Sequence, residues 1–110
     1  MSITTHVLDT SRGRPAAGVD VRLEFHGREG WQLVGRGATD EDGRARDLVP
    51  SPATLSVGVH RLVFDIARYF GRTETFFSEI TVTFAVRDIA SHYHVPLLVS
   101  PFGYTTYRGS

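Results

Sequence analysis

Two histidines separated by one residue, His92 and His94, stand near the end of the chain, and on a β-strand that spacing puts both imidazoles on one face. Imidazole exchanges a proton near neutral pH, its ordinary pKa being near 6.5, so a histidine here is suited to activating water. His6 offers a third ring, and His6, His92 and His94 have the composition of a zinc site, but a His pair without a third ligand at fixed spacing is a weak metal motif. The simplest alternative leaves His92 a solvated strand-end residue and His94 alone at work. After them come Tyr104, Tyr107, Arg108, Gly109 and Ser110. Termini ordinarily fray into small polar residues, whereas here polar and aromatic groups continue to Ser110. Ser110 is therefore expected to form part of a pocket, and residues appended after it are expected to impair binding more than folding.

Other chemistries find less support. There is no Cys, so thiolate nucleophiles, disulfides and Cys-ligated zinc are excluded. No Gly-x-Ser-x-Gly elbow occurs, and no Ser, His and Asp are placed as a triad. Asp40, Glu41 and Asp42 are adjacent carboxylates without the rest of a calcium loop, and they read as a turn that shapes the chain. Basic and acidic residues number 12 each, every basic one is Arg, and none cluster, so the electrostatic footprint of a nucleic-acid or acidic-membrane binder is missing. The first residues lack the basic and apolar regions of a secretion signal, and no stretch approaches the roughly 18 apolar residues of a membrane span. A soluble, cytoplasmic protein is expected. At 110 residues the chain is expected to be one domain, residues 1–110, whose sizeable pocket is a surface cleft or an interface.

The elements that must position these groups are strands. Val19, Val21, Leu23 and Phe25 alternate with Asp20, Arg22, Glu24 and His26, and Ile80, Val82, Phe84 and Val86 alternate with Thr81, Thr83, Ala85 and Arg87. Each set predicts a strand with one buried face. Residues 27–30 predict a hairpin turn into a strand from Trp31 to Gly35, residues 40–43 a second turn, and residues 49–52 a loop. A strand from His60 to Ile66 leads into residues 67–71, the one place where a helical turn fits. Short strands at this spacing predict an all-β, antiparallel sandwich. From His94 to Ser100, Val95, Leu97 and Val99 share an apolar face, and His94, Pro96, Leu98 and Ser100 share a mixed one that suits contact with another subunit. Pro96 has no N–H to give a ladder, which predicts an edge position or a bulge, with the site near His94.

Three segments together carry a resemblance: Thr5-His6-Val7-Leu8-Asp9, Thr39-Asp40-Glu41-Asp42-Gly43-Arg44, and the run from His92 to Tyr104 closing on Tyr107-Arg108-Gly109-Ser110. The chain resembles the 5-hydroxyisourate hydrolases, transthyretin-related enzymes of urate breakdown, along essentially its whole length. The Gly-Arg turn is weak alone, while His-Tyr-His-Val-Pro closing on Tyr-Arg-Gly-Ser is highly specific. Hormone-carrying transthyretins share the fold but lack the histidines and that ending. The resemblance implies a transthyretin-like sandwich of two four-stranded sheets with one short helix. It implies His6, Arg44 and His94 as catalytic residues and Tyr107, Arg108, Gly109 and Ser110 as substrate-binding residues. Arg46, two residues beyond Arg44, is the competitor that the Asp-Gly-Arg match disfavours.

The implied reaction is hydrolytic opening of the six-membered ring of 5-hydroxyisourate at a cyclic amide, giving 2-oxo-4-hydroxy-4-carboxy-5-ureidoimidazoline, with no cofactor and no metal. His6 and His94 would orient and deprotonate the water, in either order, while Arg44 keeps a nearby imidazole basic and stabilises the developing oxyanion. Tyr107 and Ser110 would bond the polar edges of the substrate; Arg108 would do likewise or make a structural ion pair. The family also implies a homotetramer, a dimer of dimers with sites at the dimer–dimer interface. The alternatives are a non-catalytic, transthyretin-type small-ligand binding protein and a zinc hydrolase.

Overall fold

The protein is described by a computed structural model covering residues 2–50 and 55–110. Its strands are β1 (Ser2–Asp9), β2 (Arg14–Pro15), β3 (Asp20–Gly27), β4 (Gly30–Ala38), β5 (Arg44–Ala45), β6 (Gly58–Asp65), β7 (Glu79–Val86), β8 (His92–Ser100) and β9 (Gly103–Thr106), with one helix, α1 (Ile66–Phe70). One sheet runs β2-β1-β8-β9 with β5 also paired to β1, and the other runs β4-β3-β6-β7. Ile3, Val7, Leu97 and Val99 of the first and Leu23, Leu62, Phe64 and Ile80 of the second share one buried core. Each such side chain contributes about 1.5–3 kcal/mol by leaving water. The alternation in β3, β7 and β8 lies inward as expected, and residues 28–29 turn β3 into β4. The helical turn forms one residue early, because Asp65 caps it by accepting from the Arg68 backbone N–H at 3.3 Å. Of the loop expected over residues 49–52, Ser51 and Pro52 lie outside the described residues.

The all-β sandwich stands, and the sheet that carries the histidines refines it. It has five strands where four were expected, the short β5 being the addition, and its central pair, β1 and β8, is parallel through eight register positions from Ser2↔His92 to Asp9↔Val99. Parallel strands need a long crossover, and here the whole second sheet intervenes between them. β1 escapes a periodicity reading because two of its inward residues are polar. Thr5 and Asp9 are both fully buried. The Thr5 hydroxyl donates to the Val95 carbonyl at 2.6 Å. Asp9 accepts from the Tyr69 hydroxyl at 2.8 Å and from the Ser11 N–H at 3.0 Å, so neither polar group is orphaned.

Pro96 is neither at an edge nor in a bulge: β8 lies between β1 and β9. Its side of the β8–β9 ladder runs from Ser100↔Gly103 to Leu97↔Thr106, lapses, and resumes at His94↔Gly109 in the same register. The missing N–H thus interrupts the ladder locally, and the Thr106 hydroxyl donates to the Pro96 carbonyl at 2.7 Å beside the gap. The start of β8 is anchored by Tyr93, whose hydroxyl accepts from the Arg87 and Asp88 N–H groups at 3.1 and 3.0 Å.

Candidate active site

Strand pairing sets the site out as a row across the outer face of the five-stranded sheet. On β1, Ser2, Thr4 and His6 point away from the core; on β8 their register partners are His92, His94 and Pro96. On the other flank of β1, Arg44 of β5 stands opposite His6. Beyond β8, Gly109 stands opposite His94 and donates its N–H to the His94 carbonyl at 2.8 Å. Residues from four distant stretches of sequence thereby lie side by side.

Arg44 is delivered by the turn before it. Asp40 Oδ1 accepts the backbone N–H groups of Asp42 and Arg44, each at 2.9 Å, and Oδ2 accepts Arg46 Nη1 at 3.2 Å. The Arg44 N–H, then that of Asp42 and the nearby guanidinium charges hold the Asp40 carboxyl below its usual range, although some desolvation opposes them. His6 Nε2 donates to the Asp42 carbonyl at 2.8 Å, so the same turn also fixes the His6 ring.

His94 is half-buried, and its Nδ1 lies 2.8 Å from the Thr4 hydroxyl. Burial lowers its pKa below 6.5, and the charges of Arg44, His92 and His6 push the same way, against an opposing hydrogen bond with the Thr4 backbone. The imidazole is thereby kept neutral and able to accept a proton near pH 7. His92 is exposed and paired with the Ser2 hydroxyl, and its ring lies parallel to that of His94, 6.2 Å away with 12° between the planes. Among the described residues, no three His, Asp or Glu side chains are grouped as a metal ion would require.

A cleft of about 450 Å³ opens on this row, lined by Thr4, Arg44, Arg46, His92, His94 and Ser110. Of the residues expected from sequence, it brings together Arg44, His94 and Ser110, while His6 flanks it. Gly109 packs against the catalytic candidate itself: a Cβ there would lie 2.5 Å from His94 Cδ2 and 3.1 Å from Pro96 Cγ. Tyr107 and Arg108 line a neighbouring, more apolar cleft of about 230 Å³ with Val82, Phe84, Tyr93 and His94. Arg108 makes no ion pair among the described residues; its guanidinium lies 4.7 Å from the Tyr93 ring centroid. Thr4 and Ser2 went unrecognised from sequence, because only the parallel register shows that each faces a histidine. Arg46 lines the cleft beside Arg44, but its pairing with Asp40 occupies it. A larger cleft of about 570 Å³ on the other sheet is lined by Asp20, Arg22, Arg36, Asp65 and Arg68 and by no histidine among the described residues.

The sequence profile of the HIUase/Transthyretin family matches residues 3–109. The chain belongs to this family. The 5-hydroxyisourate hydrolase of Salmonella typhimurium is 44% identical over 110 residues, covering 98% of this chain and 80% of that protein. The structure of Klebsiella pneumoniae 5-hydroxyisourate hydrolase matches with a TM-score of 0.83 at 34% identity, covering 100% of both chains. Transthyretin from Sparus aurata matches with a TM-score of 0.89 at 29% identity, covering 97% of this chain and 95% of that one. The backbone follows the transthyretin at least as well as the hydrolase, so the fold alone does not separate catalysis from carriage. Sequence identity leans toward the hydrolases, and the side chains on the sheet face must carry the distinction.

Proposed function

We propose that this protein is a 5-hydroxyisourate hydrolase, opening the six-membered ring of its substrate by attack of an activated water on a cyclic amide carbonyl. The observation that carries this reading is the convergence of a neutral-biased imidazole, His94, with Arg44 and Ser110 on one cleft. His94 is the general base. His6, whose Nε2 is engaged by the Asp42 carbonyl, flanks the base and supports the position of the water. As the water loses its proton to His94 and its oxygen bonds to the carbonyl carbon, charge grows on the carbonyl oxygen, where Arg44 meets it. Collapse breaks the C–N bond, the proton passes to the leaving nitrogen, and the product carries a new carboxylate. Ser110 bonds a polar edge of the substrate, Gly109 leaves room for the His94 ring, and Tyr107 and Arg108 act on substrate from the neighbouring cleft that shares His94. No metal or cofactor takes part, so activity persists in a strong chelator; loss of activity restored by zinc would favour the metal reading.

The working unit in this reading is a homotetramer, a dimer of dimers in which each open cleft is completed across the dimer–dimer interface. Its support is the exposure of Tyr104 and Tyr107, 43% and 57%, along and just beyond the edge strand β9. The single domain of residues 1–110 carries the activity in the cytoplasm. Among the described residues no helix is long and apolar enough to cross a membrane.

The deciding experiment follows the absorbance of freshly generated 5-hydroxyisourate with and without protein. Faster decay with protein is expected, and His94→Asn should slow turnover by about a hundredfold or more, the scale of a general base. Unaccelerated decay would return the chain to transthyretin-type binding without chemistry, and a variant retaining activity within a few-fold would remove His94 from the base role.

A further inference from the structure

We propose that Thr4 is a positioning residue for His94, its hydroxyl accepting the Nδ1 proton so that Nε2 presents the lone pair; this rests on the hydrolytic reading of the cleft and deepens it. The parallel register puts Thr4 directly opposite His94, and Thr4 Oγ1 lies 2.8 Å from Nδ1. One rung toward the start of both strands the arrangement repeats, the Ser2 hydroxyl meeting Nδ1 of His92. The next rung in the other direction pairs His6 with Pro96, which ends the series. Two consecutive hydroxyl–imidazole rungs with ring planes 12° apart are what an in-register parallel pair imposes when hydroxyl residues on one strand face histidines on the other.

The opposite edge of the His94 ring is closed by the Gly109 backbone, packed against Cδ2. An imidazole has two rotatable bonds before its ring, and one hydrogen bond at Nδ1 with one steric wall at Cδ2 restrains both. Among the described residues no protein group bonds Nε2, which leaves it for water. A hydroxyl also differs in kind from the carboxylate that often partners a catalytic histidine. A carboxylate stabilises the imidazolium strongly; an uncharged hydroxyl selects the tautomer and orientation while Arg44, His6 and His92, the charged or titratable groups facing His94 from β5, β1 and β8, disfavour the protonated form.

The test compares Thr4→Val, which keeps the shape and removes the hydroxyl, with Thr4→Ser, which keeps the hydroxyl. Thr4→Val should lower kcat about tenfold with KM changed less than about twofold, the scale of one hydrogen bond lost from a reacting group, while Thr4→Ser stays within about threefold of the parent. Nitrogen-15 spectra of the His94 ring provide a readout independent of turnover: the parent should hold the proton on Nδ1, and the Val variant should lose that preference. An unmoved tautomer in Thr4→Val, or equal losses in Thr4→Ser, would overturn the proposal. Should the parent protein fail to hydrolyse 5-hydroxyisourate, the functional reading falls, and the tautomer of His94 still decides the role of Thr4.

Discussion

Burial and then the Arg44 charge lower the His94 pKa, while the Thr4 hydroxyl meets its Nδ1. Removing the cation with Arg44→Met should let the His94 pKa rise toward 6.5, moving the acid limb of the rate profile to higher pH. The same variant should lose about a hundredfold or more in kcat, because the developing oxyanion loses its partner. A second histidine bears on stability. His60 is fully buried between Phe25 and Phe84, with ring centroids 4.9 and 6.1 Å away; its Nδ1 donates to the Gly58 carbonyl at 3.1 Å, and its Nε2 has no partner among the described residues. Burial lowers its pKa below 6.5, so on acidification the unfolded chain takes up this proton before the folded one does. Stability should therefore fall as pH drops through about 6.5 toward the folded-state value. His60→Phe removes both the proton site and the orphaned nitrogen, and melting curves between about pH 7 and about pH 5 should show a smaller decline than the parent; an equal decline would clear His60 of the acid sensitivity.

Among the elements, the turn between β4 and β5 shows how tightly a catalytic residue depends on backbone shape. Gly43 has a φ of +76°, and a Cβ there would come within 2.4 Å of the Val7 carbonyl oxygen, while the Val7 N–H donates to the Gly43 carbonyl at 2.7 Å. Gly43→Ala should cost about 1–3 kcal/mol in urea unfolding and weaken turnover as well, since the turn sets Arg44 against β1. The carboxylates of this turn were legible as shaping the chain, and Asp40 does so by bonding two backbone N–H groups. The strands β3, β7 and β8 were equally legible, because a half-buried strand writes its inward face as every second apolar residue. β1 was not, because Thr5 and Asp9 are inward polar residues whose partners, Val95 and Tyr69, lie far along the chain. Pro96 misled for a related reason: a missing N–H predicts an edge only if the lost ladder bond cannot be tolerated locally, and here pairing resumes at His94.

Across the whole molecule, the site cleft adjoins through His94 a second cleft lined by the exposed Tyr107, just beyond the β9 edge. In the tetrameric reading, a variant that remains monomeric by sedimentation or size exclusion should keep its β circular dichroism and lose activity, and a fully active monomer would overturn that reading. The residue types of the site were present in the sequence by themselves: three imidazoles, an arginine after a tight turn and a polar closing segment, together with the family they resemble. Their chemistry is intrinsic to the side chains and needs no coordinates. Only the tertiary structure decided which groups meet. The parallel pairing of β1 with β8 sets Thr4 against His94, β5 brings in Arg44, and the segment after β9 lays Gly109 on the His94 ring while Tyr107 and Arg108 turn to a neighbouring cleft. Register between strands distant in sequence depends on the packing of both sheets at once, and no local pattern of residues records it.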